Sequence, residues 1–472
     1  MKTSDIVSQI RGLVEEILTK CDTKVSKSFK SFIIENLILY QIMQKVNYTQ
    51  LARYGSKCEK TYRNNSSNGG RKFDAVGFNT CLAKEYFEGC QGCTAIAIDP
   101  SYISHTGKHT PGIGYFWSGC AQSAKLGLEI LGIGVINTEA KDCIMLSGVQ
   151  TPAPEDSARK AIDWEGKIPQ YLVGTENITD LAHVIETIPN AHVKRPYHKK
   201  DEEEAFNKLI EDAKAKGQKF SLTLWYLLVI QCMAERLKRL SNTVVADAFF
   251  SKKPFADGLE DVGMHLVSRF RDDAVLMYLY RGRQTGKRGR PKLFDGKVNL
   301  DELDPKVFFE VGKNFDDGKY YCGIVYSKAL KRKVKVVIWK SKDGKRKKIY
   351  FSTNYKQHSG NDIVKIYRTR FQIEFCFRDS KENASLCKCQ ARSISKLQFN
   401  YNMSFTSVNC LKYVAKQNGI DFSMSNLKTI MHGHYLLDRF ICVSGIKPNS
   451  DLIKKLETEI VSLTAYDLDI AS

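Results

Sequence analysis

The chain has 472 residues, too many for one ordinary hydrophobic core, and its 43% hydrophobic content, with 22 Tyr and 24 Phe, is ample for two to four packed domains. Seventy-two Lys and Arg against 52 Asp and Glu give a formal net charge of +20, which calls for a polyanionic partner, nucleic acid first. The longest apolar run, Phe220 to Met233, contains Ser, Thr and Gln and falls short of a bilayer span, so no membrane partner is expected.

The opening residues, MKTSDIVSQIRGLVEEIL, are amphipathic and lack the apolar core of a secretory leader. With that start, fourteen cysteines read as reduced thiols in a cytoplasmic protein. Cys90-x2-Cys93 has metal-ligand spacing, but no second pair accompanies it, and it reads as ordinary thiols.

Residues 1–90 are predicted to be helical and to serve as an N-terminal DNA-binding region. Phe32 to Val46 carries a helical apolar face, and two short helical segments follow around Gly55, the second bearing Lys57, Lys60, Arg63 and Asn64. Arg63 to Lys72, rich in Asn and Gly, reads as an exposed linker. Residues 91–280 form the first part of an α/β core. Thr94 to Ile98 is a short strand ending in Asp99-Pro100, Leu128 to Thr138 and Cys143 to Gln150 form a hairpin, 155–241 is a helical insertion, and Asn242 to Phe250 is a strand with Asp247 near its end.

Residues 281–354 hold 21 Lys and Arg against 8 Asp and Glu. Within them, Lys319 to Lys328, Lys333 to Lys340 and Lys348 to Asn354 alternate polar and apolar residues, the pattern of a basic antiparallel β insertion. Residues 355–400 contain a helix capped by Asn361 or Asp362, and 401–472 are helical.

The most informative segment is Ile366 to Lys381, IYRTRFQIEFCFRDSK. On one continuous helix its Tyr367, Arg370, Glu374 and Lys381 share a face: a carboxylate flanked by two cations and a phenol. An acid among cations suits a metal ion beside a phosphate backbone, provided that further acids join it. Asp99 and Asp247, each at a predicted strand end, are those acids. Three such oxygen ligands hold two Mg²⁺ ions, one activating an attacking oxygen and one stabilising a leaving oxygen. The succession of strand, hairpin, helices, strand and acidic helix is that of an RNase H-like core, interrupted by the basic insertion and flanked by helical N- and C-terminal regions.

IDPSY around Asp99, VVADAFF around Asp247, and FSTN followed by YRTRFQIEFCFRDSK resemble the blocks of DDE transposases of bacterial insertion sequences, in the branch with a Y-R-E-K signature. The resemblance runs from about Tyr40 to Tyr413. It implies that Asp99, Asp247 and Glu374 bind two Mg²⁺ or Mn²⁺ ions and are catalytic, and that Tyr367, Arg370 and Lys381 contact phosphates at the transposon end. It also implies binding of terminal inverted repeats in double-stranded DNA, cleavage by water, joining of the 3′-OH to target DNA with no covalent enzyme–DNA link, and a homodimer in the synaptic complex. The other reading is a non-catalytic or domesticated DNA-binding derivative.

Three weaker signals add DNA contacts. Arg288 and Arg290, in GKRGRPK, resemble the arginines of AT-rich minor-groove binders. Trp339, in VKVVIWK, is placed to stack on an unpaired base or else to fill the insertion's core. His105, Lys108 and His109 follow Asp99 in a Gly-rich loop and are candidates to approach substrate.

Overall fold

A computed structural model describes residues 3–21, 25–43, 45–106, 110–151, 153, 222–284, 291–312, 315–445 and 451–465. Five helices come first: α1 (Thr3–Lys20), α2 (Lys27–Ile42), α3 (Tyr48–Tyr54), α4 (Glu59–Lys72) and α5 (Ala75–Tyr86). Short polar residues start them. Ser26 accepts the Phe29 N–H at 3.3 Å, Asn47 that of Gln50 at 2.8 Å, and Asp74 that of Gly77 at 3.0 Å. Arg63 to Lys72, expected as a linker, is instead most of α4. Gly69 has a packing reason, because a Cβ there would sit 2.3 Å from the Phe399 ring.

Four strands follow, β1 (Thr94–Ser104), β2 (Gly114–Ser118), β3 (Ser123–Asn137) and β4 (Asp142–Gln150), then α6 (Leu222–Leu237), β5 (Thr243–Val245), α7 (Lys253–Asp261) and β6 (His265–Phe270). The core of the sheet reads β4-β3-β1-β5-β6. Strand β3 is antiparallel to β1 and β4 to β3, whereas β1, β5 and β6 run parallel. This mixed α/β sheet carries the hairpin and parallel strands expected of an RNase H-like core.

The basic segment contributes β7 (Leu276–Leu279), β8 (Phe294–Lys297), β9 (Phe309–Val311), β10 (Gly318–Ser327), β11 (Arg332–Ser341) and β12 (Lys347–Ser352). The last three match the three alternating stretches. They continue the same sheet, since β12 pairs with β6 from Ile349–Phe270 to Ser352–Val267. The chain then forms α8 (Gly360–Thr369), α9 (Gln372–Asn383), α10 (Ile394–Gln417), α11 (Met424–Ser444) and α12 (Asp451–Ala465).

Alternation along β1 splits the core between the two sheet faces. Ile96 and Ile98 pack with Leu131, Ile133, the N-terminal helices and α6. Ala95 and Ala97 pack with Ile130, Val245, α8 and α9. Each fully buried aliphatic side chain contributes roughly 1.5–3 kcal/mol. Helix α10 lies along β4 and satisfies that strand's outer edge with a row of amides. Asn402 accepts the Gly148 N–H at 3.0 Å, Gln398 accepts that of Gln150 at 3.2 Å, and Asn409 both accepts from the Met145 N–H at 3.2 Å and donates to its carbonyl at 2.7 Å.

Candidate active site

Strands β1 and β5 pair in parallel at Ile96–Val244 and Ala97–Val245, and there their pairing stops. Asp99 and Asp247 each lie two residues beyond the Ala97–Val245 pair. Period-2 alternation therefore puts both on the face of Ala97 and Val245, close enough for the Asp247 charge to act on the Asp99 carboxyl. The strand expected over Asn242–Phe250 is shorter: β5 stops at Val245, and Asp247 lies two residues beyond it, capping a 3₁₀ turn at Ala248–Phe250. Asp99 does not end its strand: β1 runs on to Ser104, and Asp99 opposes Gly132 of β3. What ends near Asp99 is the pairing with β5, and the resulting notch exposes the acid.

A local turn holds Asp247. Its side chain accepts the Phe249 N–H at 3.0 Å, and its carbonyl accepts the Ser268 hydroxyl at 2.7 Å.

Glu374 comes from the opposite direction. Ser359 caps α8 in a reciprocal box with Asp362, at 3.1 and 3.0 Å, so neither Asn361 nor Asp362 is the cap itself. The predicted single helix is divided. Helix α8 ends at Thr369 and α9 begins at Gln372, and across the join the bonds tighten to Ile373 N–H on Arg370 carbonyl (3.2 Å) and Glu374 N–H on Phe371 carbonyl (3.0 Å). Arg370 retains a helical bond to Ile366 at 3.1 Å, so direction is kept. Helix α9 approaches β3 closely because Gly132 has no side chain; a Cβ there would stand 2.3 Å from the Phe377 ring.

Arg370 links the acids. One guanidinium nitrogen lies 3.6 Å from Asp99 and another 3.3 Å from Glu374. Its side chain is 13% exposed, against 22% for Asp99 and 39% for Glu374. Burial pushes the Asp99 carboxyl up from 3.8 to about 7; Arg370 opposes the rise, while Glu374 and Asp247 add to it. The site thus concentrates hard oxygen donors and carries an uncomfortable negative charge, a donor set that fits Mg²⁺ or Mn²⁺. Among the described residues no three acidic, His or Cys side chains close on one ligating centre. The cation between Asp99 and Glu374 is that of Arg370.

The remaining signature residues brace this arrangement. Lys381 donates to the Ser101 hydroxyl and the Tyr102 carbonyl, both at 2.8 Å, tying α9 to β1 just past Asp99. Burial lowers its pKa. Tyr367 places its ring 5.7 Å from the Arg370 guanidinium and 5.0 Å from the Tyr350 ring. Burial raises its phenol. Tyr350 was not read from the sequence, although KIYFS signals a strand aromatic just upstream of the signature.

Trp339 is 7% exposed, with Lys348 over its ring at 5.2 Å. It is a core residue of the insertion, not a stacking platform, because alternation turns it toward the α8 side of the sheet. Arg288, Arg290, Lys108 and His109 lie outside the described residues. His105 donates to the Cys389 carbonyl at 2.9 Å and pairs with the Thr110 hydroxyl at 3.0 Å, which makes it a brace for the chain after α9. No disulfide joins any of the fourteen cysteines, and Cys93 donates to Asp362 at 3.4 Å.

Residues 228–410 match the family model described as a transposase DDE domain. Over that region, 183 of the 472 residues, the chain is similar to a transposase DDE domain. The matched region includes Asp247, Glu374 and the whole stretch from Tyr367 to Lys381, with Asp99 upstream of it. No curated protein matches the chain. Among the described residues, no helix is long and apolar enough to cross a membrane.

Proposed function

We propose that this chain is the transposase of a bacterial insertion sequence, acting in the cytoplasm as a homodimer on two transposon ends. It binds the terminal inverted repeats, cleaves the DNA and joins the 3′-OH ends to target DNA. The observation that carries this reading is the meeting of Asp99 and Asp247, side by side past one strand pair, with Glu374 brought to Asp99 through Arg370.

Asp99, Asp247 and Glu374 are the residues that hold two Mg²⁺ or Mn²⁺ ions. Ions held there supply the charge that activates an attacking water or 3′-OH and stabilises the leaving oxygen. Asp247 is kept oriented by the Phe249 N–H. Arg370 neutralises Asp99 and Glu374 until substrate arrives, then transfers its planar fork to a backbone phosphate. Lys381 spends two of its three donors on β1, fixing the Asp99 strand, and has one left for phosphate. Tyr367, propped by Tyr350, shapes the wall beside Arg370.

The test is cleavage of a labelled inverted-repeat end in Mg²⁺ by the wild type beside Glu374→Gln. Wild-type cleavage lost in the variant, with end binding retained, supports the reading. Equal cleavage by both refutes it.

A further inference from the structure

A second feature lies apart from the three acids. A cavity of about 620 Å³ opens between α3 and α4 on one side and residues 389–400 on the other. It joins segments far apart in the chain: Asn47, Tyr48, Gln50 and Arg63 come from the N-terminal helices, Arg392 from the stretch leading into α10 and Lys396 from that helix's first turn. The Tyr48 ring gathers two of the cations, with the Arg63 guanidinium 5.1 Å and the Lys396 ammonium 5.8 Å from its centroid.

Like charges drawn to one ring repel, and little in the protein compensates them. Three cations line the cavity against one carboxylate, Glu59, which binds Arg63 and also accepts the Thr49 hydroxyl at 3.2 Å. Among the described residues neither Arg392 nor Lys396 has a carboxylate partner. The remaining polar lining, Asn47, Gln50 and Ser393 among it, is neutral. An unbalanced cationic cavity is a site for an anion. Exposed Lys60 and Asn64 on α4 carry the polar, basic surface onward from its rim, as suits a chain of phosphates better than a single ion.

The cavity also has a mechanical link to the acids. Its wall at residues 389–393 follows directly from α9, which bears Glu374, and His105, one residue past β1, holds the Cys389 carbonyl at 2.9 Å. We propose that this cleft grips the sugar–phosphate backbone of duplex DNA flanking the cleavage point, with Arg63, Arg392 and Lys396 on phosphates and Tyr48 against the sugar. The proposal rests on the functional reading above and adds to it a second, non-catalytic DNA site joining the N-terminal helices to the chain that leaves the catalytic helix.

The test is the affinity of the full chain for a fluorescent duplex as a function of salt. Each phosphate contact contributes about 0.9 to the slope of log K against log salt. The triple variant R63Q/R392Q/K396Q is therefore expected to lose about 2–3 from that slope and to bind at least tenfold more weakly at about 0.1 M salt. Glu59→Gln, which removes the only carboxylate and releases Arg63, is expected to bind about twofold to threefold more tightly, a gain that no folding defect produces.

An unchanged slope in the triple variant together with an unchanged affinity in Glu59→Gln, with a wild type that binds duplex, overturns the cleft and leaves the functional reading intact. A wild type that binds no duplex at any salt concentration overturns the functional reading itself. Displacement of duplex from the wild type by inorganic phosphate, beyond what sodium chloride of equal ionic strength produces, identifies a small-anion pocket and overturns the duplex assignment.

Discussion

Replacing Asp99 by Asn should stabilise the metal-free protein while destroying its function. The Asp99 carboxyl is held at about 7 instead of 3.8, so the native state keeps a proton that the unfolded chain releases. Stability therefore falls as pH rises between those two values, and the full penalty stands above pH 7. A gap of about three pH units at about 1.4 kcal/mol each gives roughly 4 kcal/mol, an upper figure because Asp99 retains some solvent exposure. Asn mimics the neutral acid and escapes the penalty. For 472 residues the unfolding entropy is about 1 kcal/mol/K, so the melting temperature in EDTA at pH 8 should rise by up to about 4 °C. The advantage should be less than half as large at pH 5 and nearly vanish at pH 4. Addition of Mg²⁺ at pH 8 should raise the wild type's melting temperature and leave Asp99→Asn unmoved. A variant less stable than wild type at pH 8, or an advantage independent of pH, would refute the reasoning.

Two further substitutions probe the geometry. Arg370→Gln removes the cation between Asp99 and Glu374, so Mn²⁺ should bind the DNA-free protein about tenfold more tightly, while the salt slope of end binding should fall by about 0.9; calorimetry and fluorescence titration measure the two effects, and weaker Mn²⁺ binding would contradict the role given to Arg370. Gly132→Ala drives a methyl into Phe377, and should cost about 1–3 kcal/mol and slow end cleavage by shifting α9. Phe377→Leu in that background should recover part of the cleavage rate, and no recovery would show that the close approach of α9 to β3 is not what places Glu374.

Much of this arrangement is legible in the sequence because local chemistry dictates it. Alternation in KYYCGIVYSK, KVKVVIWK and KIYFSTN placed β10 to β12 correctly, and the apolar run after Phe220 gave α6. The spacing from Tyr367 to Lys381 selected the residues that surround Asp99. What escaped depends on tertiary contacts. Gly69 and neighbouring polar residues look like a linker, yet α4 is stabilised by its contact with Phe399. Asp99 sits within β1 because β3 pairs along its whole length, a partner lying some thirty residues away. The division between α8 and α9 at Arg370 has no Pro or Gly to announce it. The amide row of Gln398, Asn402 and Asn409 reads as a polar helix face, whereas it completes the edge of β4.

Asp99, Asp247 and Glu374 are proposed to form one divalent-cation site on the DNA-bound protein. Mn²⁺ titrated into the end complex, followed by electron paramagnetic resonance, tests it most directly. Two tightly bound ions per chain are expected for the wild type, and the triple variant D99N/D247N/E374Q should bind neither while still holding DNA. Two tight ions in that triple variant would contradict the account.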